Sequence, residues 1–272
     1  MTEAQAFRLP VGDGDATREI AVLRRNGKSP GLFWLGGFRS DMAGSKATAI
    51  DAYAGAQGLA ATRFDYSGHG QSGGRFEDGT ISRWLEEARA VFEGHTEGPQ
   101  IVVGSSMGGW IALLLAEALR ETGASSSLSG LRSSPPLVAG LVLIAPAVDM
   151  TRALMWNTWS KSARKALMTT GIYLRPSEYS EEPYPITRAL IEDGDRHLLG
   201  DRLIEVGCPV HILQGMEDKD VPWRHAQDLV TRLASDDVVL TLVKDGDHRL
   251  SRDEDIERLR GAIDGIRHEL RS

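Results

Sequence analysis

A pair of serines set among glycines, Gly104-Ser105-Ser106-Met107-Gly108, interrupts the apolar stretch IVVGSSMGGWIALLLA (101–116). The residues before it read as a buried strand and those after it as a buried helix. A turn this abrupt needs small flanking residues. Gly-x-Ser-x-Gly at such a junction pushes the central hydroxyl clear of the sheet. That spacing makes Ser106 the candidate nucleophile and leaves Ser105 in the variable position. The helix that starts at Met107 presents a backbone N–H to any anion that develops nearby.

A serine attacks poorly without a base. Of the seven histidines, His248 in KDGDHRLS (244–251) falls just past the last strand-like run and before the last helix. This puts it on the same rim as Ser106. His225, next to Val221-Pro222-Trp223 at a helix start, is the main rival. His211 lies inside a strand and reads as a core residue. His95 and His268 sit on polar segments, His197 in an irregular stretch, and His69 in a loop where it reads as structural. An imidazole base needs a carboxylate to hold its tautomer. Asp218 follows the strand PVHILQG (209–215) by three residues and fits that part, with Asp220, Asp245 and Asp247 as alternatives. Asp220 suits a helix cap. The glycines of LGGFRSDM (35–42) make a sharp turn after an early strand, so the N–H of Phe38 joins that of Met107 as a candidate oxyanion donor. The chemistry these residues suit is acyl transfer, with no metal or cofactor required.

The elements that must position them alternate. A hairpin spans 7–25, a strand 31–37 and a helix 41–57 behind Ser40-Asp41. Further strands are expected at AATRFDY (60–66), QIVVG (100–104), VAGLVLIAPA (138–147), 209–215 and VVLTLVKDG (238–246). Helices are expected at 81–93, 107–122, 222–234 and 253–270. In the last helix Ile256, Leu259, Ile263, Ile266 and Leu270 step by three and four, so one face packs. Short apolar strands alternating with helices predict an α/β fold with a mostly parallel central sheet covered on both faces. Ligands bind such sheets beyond the carboxyl ends of the strands. The chain is expected to be one domain over 1–272. Residues 149–205 break the rhythm with no strand-like run and are expected to form a cap or lid insertion. Its Trp156 and Trp159 either line an acyl pocket or pack the cap onto the domain. Arg39 either meets an anionic substrate group, such as a glucuronate carboxylate, or is an outward structural residue. The Gly/Ser/Pro-rich 123–136 reads as a mobile loop.

Acidic residues outnumber basic ones 38 to 31 in the 272-residue chain, for a net charge of −7, which argues against a nucleic-acid partner. The single cysteine, Cys208, permits no internal disulfide and reads as a small buried hydrophobe. No run of about 18 apolar residues is present, so no membrane span is expected. The start MTEAQAFRLP resembles neither a secretory signal nor a transit peptide, and the expected location is cytoplasmic.

The order Ser106, Asp218, His248 is that of α/β-hydrolases. The whole chain resembles a serine hydrolase of that fold. It is most similar to the acyl-protein thioesterase and acyl-glucuronide esterase group, whose animal members are mitochondrial palmitoyl-protein thioesterases. RFDYSGHGQSGG (63–74), GPQIVVGSSMGGW (98–110), SEYSEEPY (177–184), LQGMEDKDVPWRH (213–225) and DHRLS (247–251) carry the resemblance. It implies an esterase or thioesterase with Ser106, Asp218 and His248 as triad, acting on a small-molecule ester or thioester or on an acylated protein. The chain departs from the animal members in lacking a mitochondrial presequence, as a bacterial relative would, and in its Ser-rich 123–136 loop. The same fold and triad also serve peptidases, lactonases and carbon–carbon bond hydrolases, and non-catalytic binding proteins reuse the fold.

Overall fold

The computed structural model describes residues 3–123, 135–176, 183–234 and 237–271. The SEYSEE stretch (177–182) and nearly all of the 123–136 loop lie outside the described residues. The chain opens with an antiparallel hairpin, β1 (Gln5–Val11) and β2 (Arg18–Arg25), in which Phe7 faces Val22. There follow β3 (Lys28–Leu35), α1 (Ser45–Gln57), β4 (Leu59–Phe64), α2 (Ile81–His95), β5 (Pro99–Ser105), α3 (Met107–Gly123) and β6 (Leu137–Ile144). An excursion then carries a π-helical turn (Thr151–Trp156), α4 (Lys161–Thr170), β7 (Ile172–Arg175), β8 (Tyr184–Thr187) and α5 (Arg188–Gly194). The chain returns through β9 (Val210–Gly215), α6 (Trp223–Arg232), β10 (Val238–Val243) and α7 (Asp253–Glu269).

Eight strands form one sheet in the order β1-β2-β4-β3-β5-β6-β9-β10. β2 runs against its neighbours, and β4 through β10 pair in parallel. Successive side chains on a strand point to opposite faces, and both faces here are apolar. Phe33 and Leu35 of β3 join one core with α2, α3 and α6, while Leu32 and Trp34 join the other with α1 and α7. Leu141 and Leu143 of β6 repeat the first pattern, Val142 and Ile144 the second. That double burial is why these strands read as continuous apolar runs. The edge strands depart from this pattern: Phe7 of β1 and Val239 and Leu242 of β10 are exposed.

Two expectations are corrected. Helix α1 starts at Ser45, not behind Ser40-Asp41. The Asp41 carboxylate accepts from Ala43 N (2.9 Å) and its carbonyl from Gly44 N (3.2 Å), so the aspartate closes a turn of its own. The excursion also contains the antiparallel pair β7–β8, with Tyr173 opposite Ile186. Four residues per strand are too few for a periodic signal, and each strand exists because the other pairs with it.

Candidate functional site

The carboxyl ends of the parallel strands gather the residues singled out above. Ser106 follows β5 directly and sits at φ 54°, where L-residues are uncommon. Its backbone is over-determined: its N–H donates to Ile144 O (2.8 Å), and its carbonyl accepts from Gly109 N (2.9 Å) and Ala147 N (3.1 Å). Two glycines make this turn possible. A Cβ on Gly104 would lie 2.4 Å from Gly108 O, and one on Gly108 would lie 2.1 Å from Leu35 O. Among the described residues the other non-glycine residues at positive φ are Arg39, Ala145, Asp149 and Leu250. Arg39 follows β3, Ala145 and Asp149 follow β6, and Leu250 follows His248, so conformational strain concentrates along one rim, as it does at functional sites.

His248 stands on the loop between β10 and α7. Its Nε2 lies 3.1 Å from Ser106 Oγ and its Nδ1 2.8 Å from Asp218 Oδ2. A carboxylate only accepts, so Nδ1 carries the proton and Nε2 offers its lone pair to the serine hydroxyl. The Asp218 carboxylate is buried and fully engaged. Oδ1 accepts from the N–H groups of Asp220 (2.9 Å) and Val221 (2.8 Å), and Oδ2 also accepts from Gln214 Nε2 at 3.1 Å. Asp218, Asp220 and His248 lie close enough together to suggest a metal site. The chemistry of the donors does not fit one, because the Asp218 lone pairs are taken by N–H donors and Asp220 faces Arg175 at 3.1 Å. The His248 loop is tied down from α1, where Lys46 Nζ donates to the Arg249 carbonyl.

The alternatives go elsewhere. His225 Nε2 is bonded to the Val148 carbonyl (2.8 Å), and His211 lies beside Glu269 of α7. Asp245 pairs with Arg252 (2.7 Å). Asp247 accepts from the N–H groups of Arg249 (3.1 Å) and Leu250 (3.0 Å), which shapes the histidine loop. Asp220 pairs with Arg175 and does not cap α6, whose N-cap is Pro222.

Phe38 and Met107 flank Ser106. A Cβ on Gly37 would touch Ser106 Cβ at 3.4 Å, so the loop after β3 lies directly against the serine. Among the described residues the Phe38 N–H donates to no protein acceptor. Met107 opens α3, where the first N–H groups have no partner within the helix.

A pocket of about 440 Å³ opens over Ser106 and His248. Phe38, Ala147, Met150, Leu154, Met155 and Val221 give it an apolar wall, and Arg175, Asp220, Lys219 and Tyr184 a polar one. Trp156 and Trp159 do not line it. The Trp156 ring lies 5.6 Å from the Arg152 guanidinium and 5.5 Å from that of Arg164, Trp159 packs on Tyr173 (4.9 Å), and both tryptophans pack against the main core. Arg39 also stays out of this lining. Its guanidinium sits 5.0 Å from the Phe76 ring and 4.9 Å from that of Tyr184. The sequence reading missed Gln214, Met150, Leu154, Met155 and Arg175. Gln214 alone carried a signal, as a polar residue after the apolar pair Ile212-Leu213 near the end of its strand.

A parallel sheet that presents a hydroxyl, an imidazole and a buried carboxylate in one hydrogen-bonded line is the frame of a hydrolase. The chain belongs to the alpha/beta hydrolase family, whose sequence pattern matches residues 29–261, and it is a hydrolase. It is 37% identical to the mitochondrial palmitoyl-protein thioesterase ABHD10 of Bos taurus over 248 residues, 91% of this chain and 76% of that one. The crystal structure of a protein from Agrobacterium vitis S4 superposes with TM-score 0.90 at 50% identity, covering 97% of this chain and 98% of that one. The structure of mouse alpha/beta hydrolase domain-containing protein 10 superposes with TM-score 0.85 at 33% identity, covering 98% and 100%. Among the described residues no helix is long and apolar enough to cross a membrane.

Proposed function

We propose that the chain is a serine hydrolase that cleaves carboxylic esters and thioesters through a Ser106–His248–Asp218 triad and an acyl-enzyme. The hydrogen-bonded line from Ser106 Oγ through His248 to Asp218 Oδ2 carries this reading. The relatives named as palmitoyl-protein thioesterases point to acyl substrates, which suit the apolar wall of Met150, Leu154 and Met155.

In the first step Ser106 Oγ bonds to the acyl carbon while its proton passes to His248 Nε2. The carbonyl π pair moves onto oxygen, and the N–H groups of Phe38 and Met107 hold the resulting anion. Asp218 keeps the ring oriented and stabilises the imidazolium. Collapse of the intermediate expels the thiolate or alkoxide, which takes the proton from His248. Water then repeats the sequence on the acyl-serine and releases a carboxylic acid and free Ser106. The excursion between β6 and β9 serves as the cap of the acyl pocket in this reading, in one continuous domain.

The test is turnover of p-nitrophenyl esters, acyl-CoA and S-palmitoyl peptide thioesters and an acyl glucuronide by wild type beside Ser106→Ala. Wild-type turnover that is lost in Ser106→Ala is the expected result. Equal rates for the two proteins, or none for wild type on any substrate, would overturn the reading.

A further inference from the structure

The loop that carries Phe38 is held by two side chains that take no part in the proton relay. Resting on the hydrolase reading above, we propose that Ser40 and His69 are positioning residues that aim the Phe38 N–H at the substrate oxyanion. Two consecutive peptides of the loop are pinned, one by each residue.

The Gly37 carbonyl accepts twice from Ser40, from its N–H at 3.1 Å and from its hydroxyl at 2.8 Å. A trans peptide is planar, with its C=O and N–H pointing opposite ways. Fixing the Gly37 oxygen on Ser40 therefore fixes the Phe38 N–H on the opposite side. The next peptide is caught by its other end, where Arg39 N–H donates to His69 Nε2 at 3.1 Å. Arg39 has φ 58°, a region that costs a side-chain-bearing residue about 1 kcal/mol or more. The bond to His69 offsets that cost and selects one orientation of the Phe38–Arg39 peptide.

The chemistry at His69 is specific. Its Nδ1 lies 3.0 Å from the Ser67 carbonyl, which only accepts, so Nδ1 holds the proton and Nε2 is the lone-pair acceptor that Arg39 requires. The ring is buried and packed by Phe76 (5.2 Å), Trp84 (5.4 Å) and Tyr66 (6.0 Å). Burial pushes its pKa down to about 4, so the acceptor is present at neutral pH. A ring kept for packing alone would need neither nitrogen.

The experiment compares His69→Phe, His69→Gln and Ser40→Ala with wild type and Ser106→Ala on a p-nitrophenyl ester, with the affinity of each for a trifluoromethyl ketone that forms the tetrahedral adduct. His69→Phe keeps the ring and loses both nitrogens. Misaiming one oxyanion donor should lower its kcat by about ten- to a hundredfold, below the full loss seen when such a donor is deleted. KM should stay within about twofold and ketone affinity should fall in step with kcat. His69→Gln restores one donor and one acceptor and should recover most of kcat. Ser40 is exposed, so Ser40→Ala carries the test if His69→Phe does not fold. That variant should lose about three- to tenfold in kcat with KM unchanged, since its backbone bond to Gly37 survives. Wild-type kcat in His69→Phe, or in Ser40→Ala where that stands alone, overturns the inference, as does a kcat loss with ketone affinity untouched. Activity surviving in Ser106→Ala would instead overturn the nucleophile assignment itself.

Discussion

Asp218 and His69 show how a single side chain is committed to one role by the groups around it. Asp218 receives the N–H groups of Asp220 and Val221, a Gln214 amide hydrogen and the His248 ring. Asp218→Asn would place an amide where a proton acceptor is required and turn the histidine to the wrong tautomer. Its kcat should fall about 10⁴-fold in a p-nitrophenyl ester assay, with the fold intact by circular dichroism. His69 makes a pH prediction with a defined sign. Its folded pKa of about 4 lies below the ordinary 6.5 because burial disfavours the charged ring. Between those values the unfolded chain takes up a proton that the folded chain refuses. Stability is therefore fully present above about pH 6.5 and is lost as pH falls towards 4, by up to about 3 kcal/mol from this one group. Urea unfolding of wild type and His69→Gln at pH 7 and pH 4.5 should show the smaller loss in the variant. At this scale the sequence was informative wherever a residue had to stand in the turn that follows a strand. Ser106 does so directly after β5, and Asp218 and His248 stand in the turns after β9 and β10 in the chain order the fold requires, whereas His69 looked bland because its partner, the Arg39 N–H, is a backbone group that no motif records.

The turn between β5 and α3 is built from close approach rather than from side chains. Gly108 packs against the backbone of β3, and a methyl group there would sit 2.1 Å from Leu35 O. Gly108→Ala should cost about 3 kcal/mol, the upper end of overpacking penalties, and should abolish turnover, read as a fall in the urea midpoint with loss of ester hydrolysis. The strands and helices of the main sheet were legible because burial on both faces leaves apolar runs punctuated by glycine. The start of α1 was not, because Asp41 uses its side chain on its own turn and Ser45 opens the helix four residues later. β7 and β8 were not legible either: IYLR and YPIT become strands through each other, a pairing that sequence spacing does not encode.

The pocket belongs to the molecule as a whole. Ser106, Phe38, Ala147, Val221 and His248 come from the rim of the sheet, and Met150, Leu154, Met155, Arg175 and Tyr184 from the excursion. These excursion residues had no periodicity to betray them, since what they face is set by how the segment folds back over the sheet. Leu154→Trp would fill part of the apolar wall. It should lower the ratio of kcat/KM for palmitoyl over butyryl esters by about tenfold or more, the discrimination that one or two methylenes carry in an apolar pocket. An unchanged ratio would mean that the acyl chain runs elsewhere. One further consequence follows from the separation of Ser106 and His248, 142 residues apart in the chain. Ribosomes deliver the serine well before the histidine proposed as its base, and the sheet between them closes only when β9 and β10 have been made. If the proposed triad holds, a chain that stops short of His248 carries only an inert alcohol. On the proposed reading, reactivity is a property of the closed sheet and not of the segment that carries the serine.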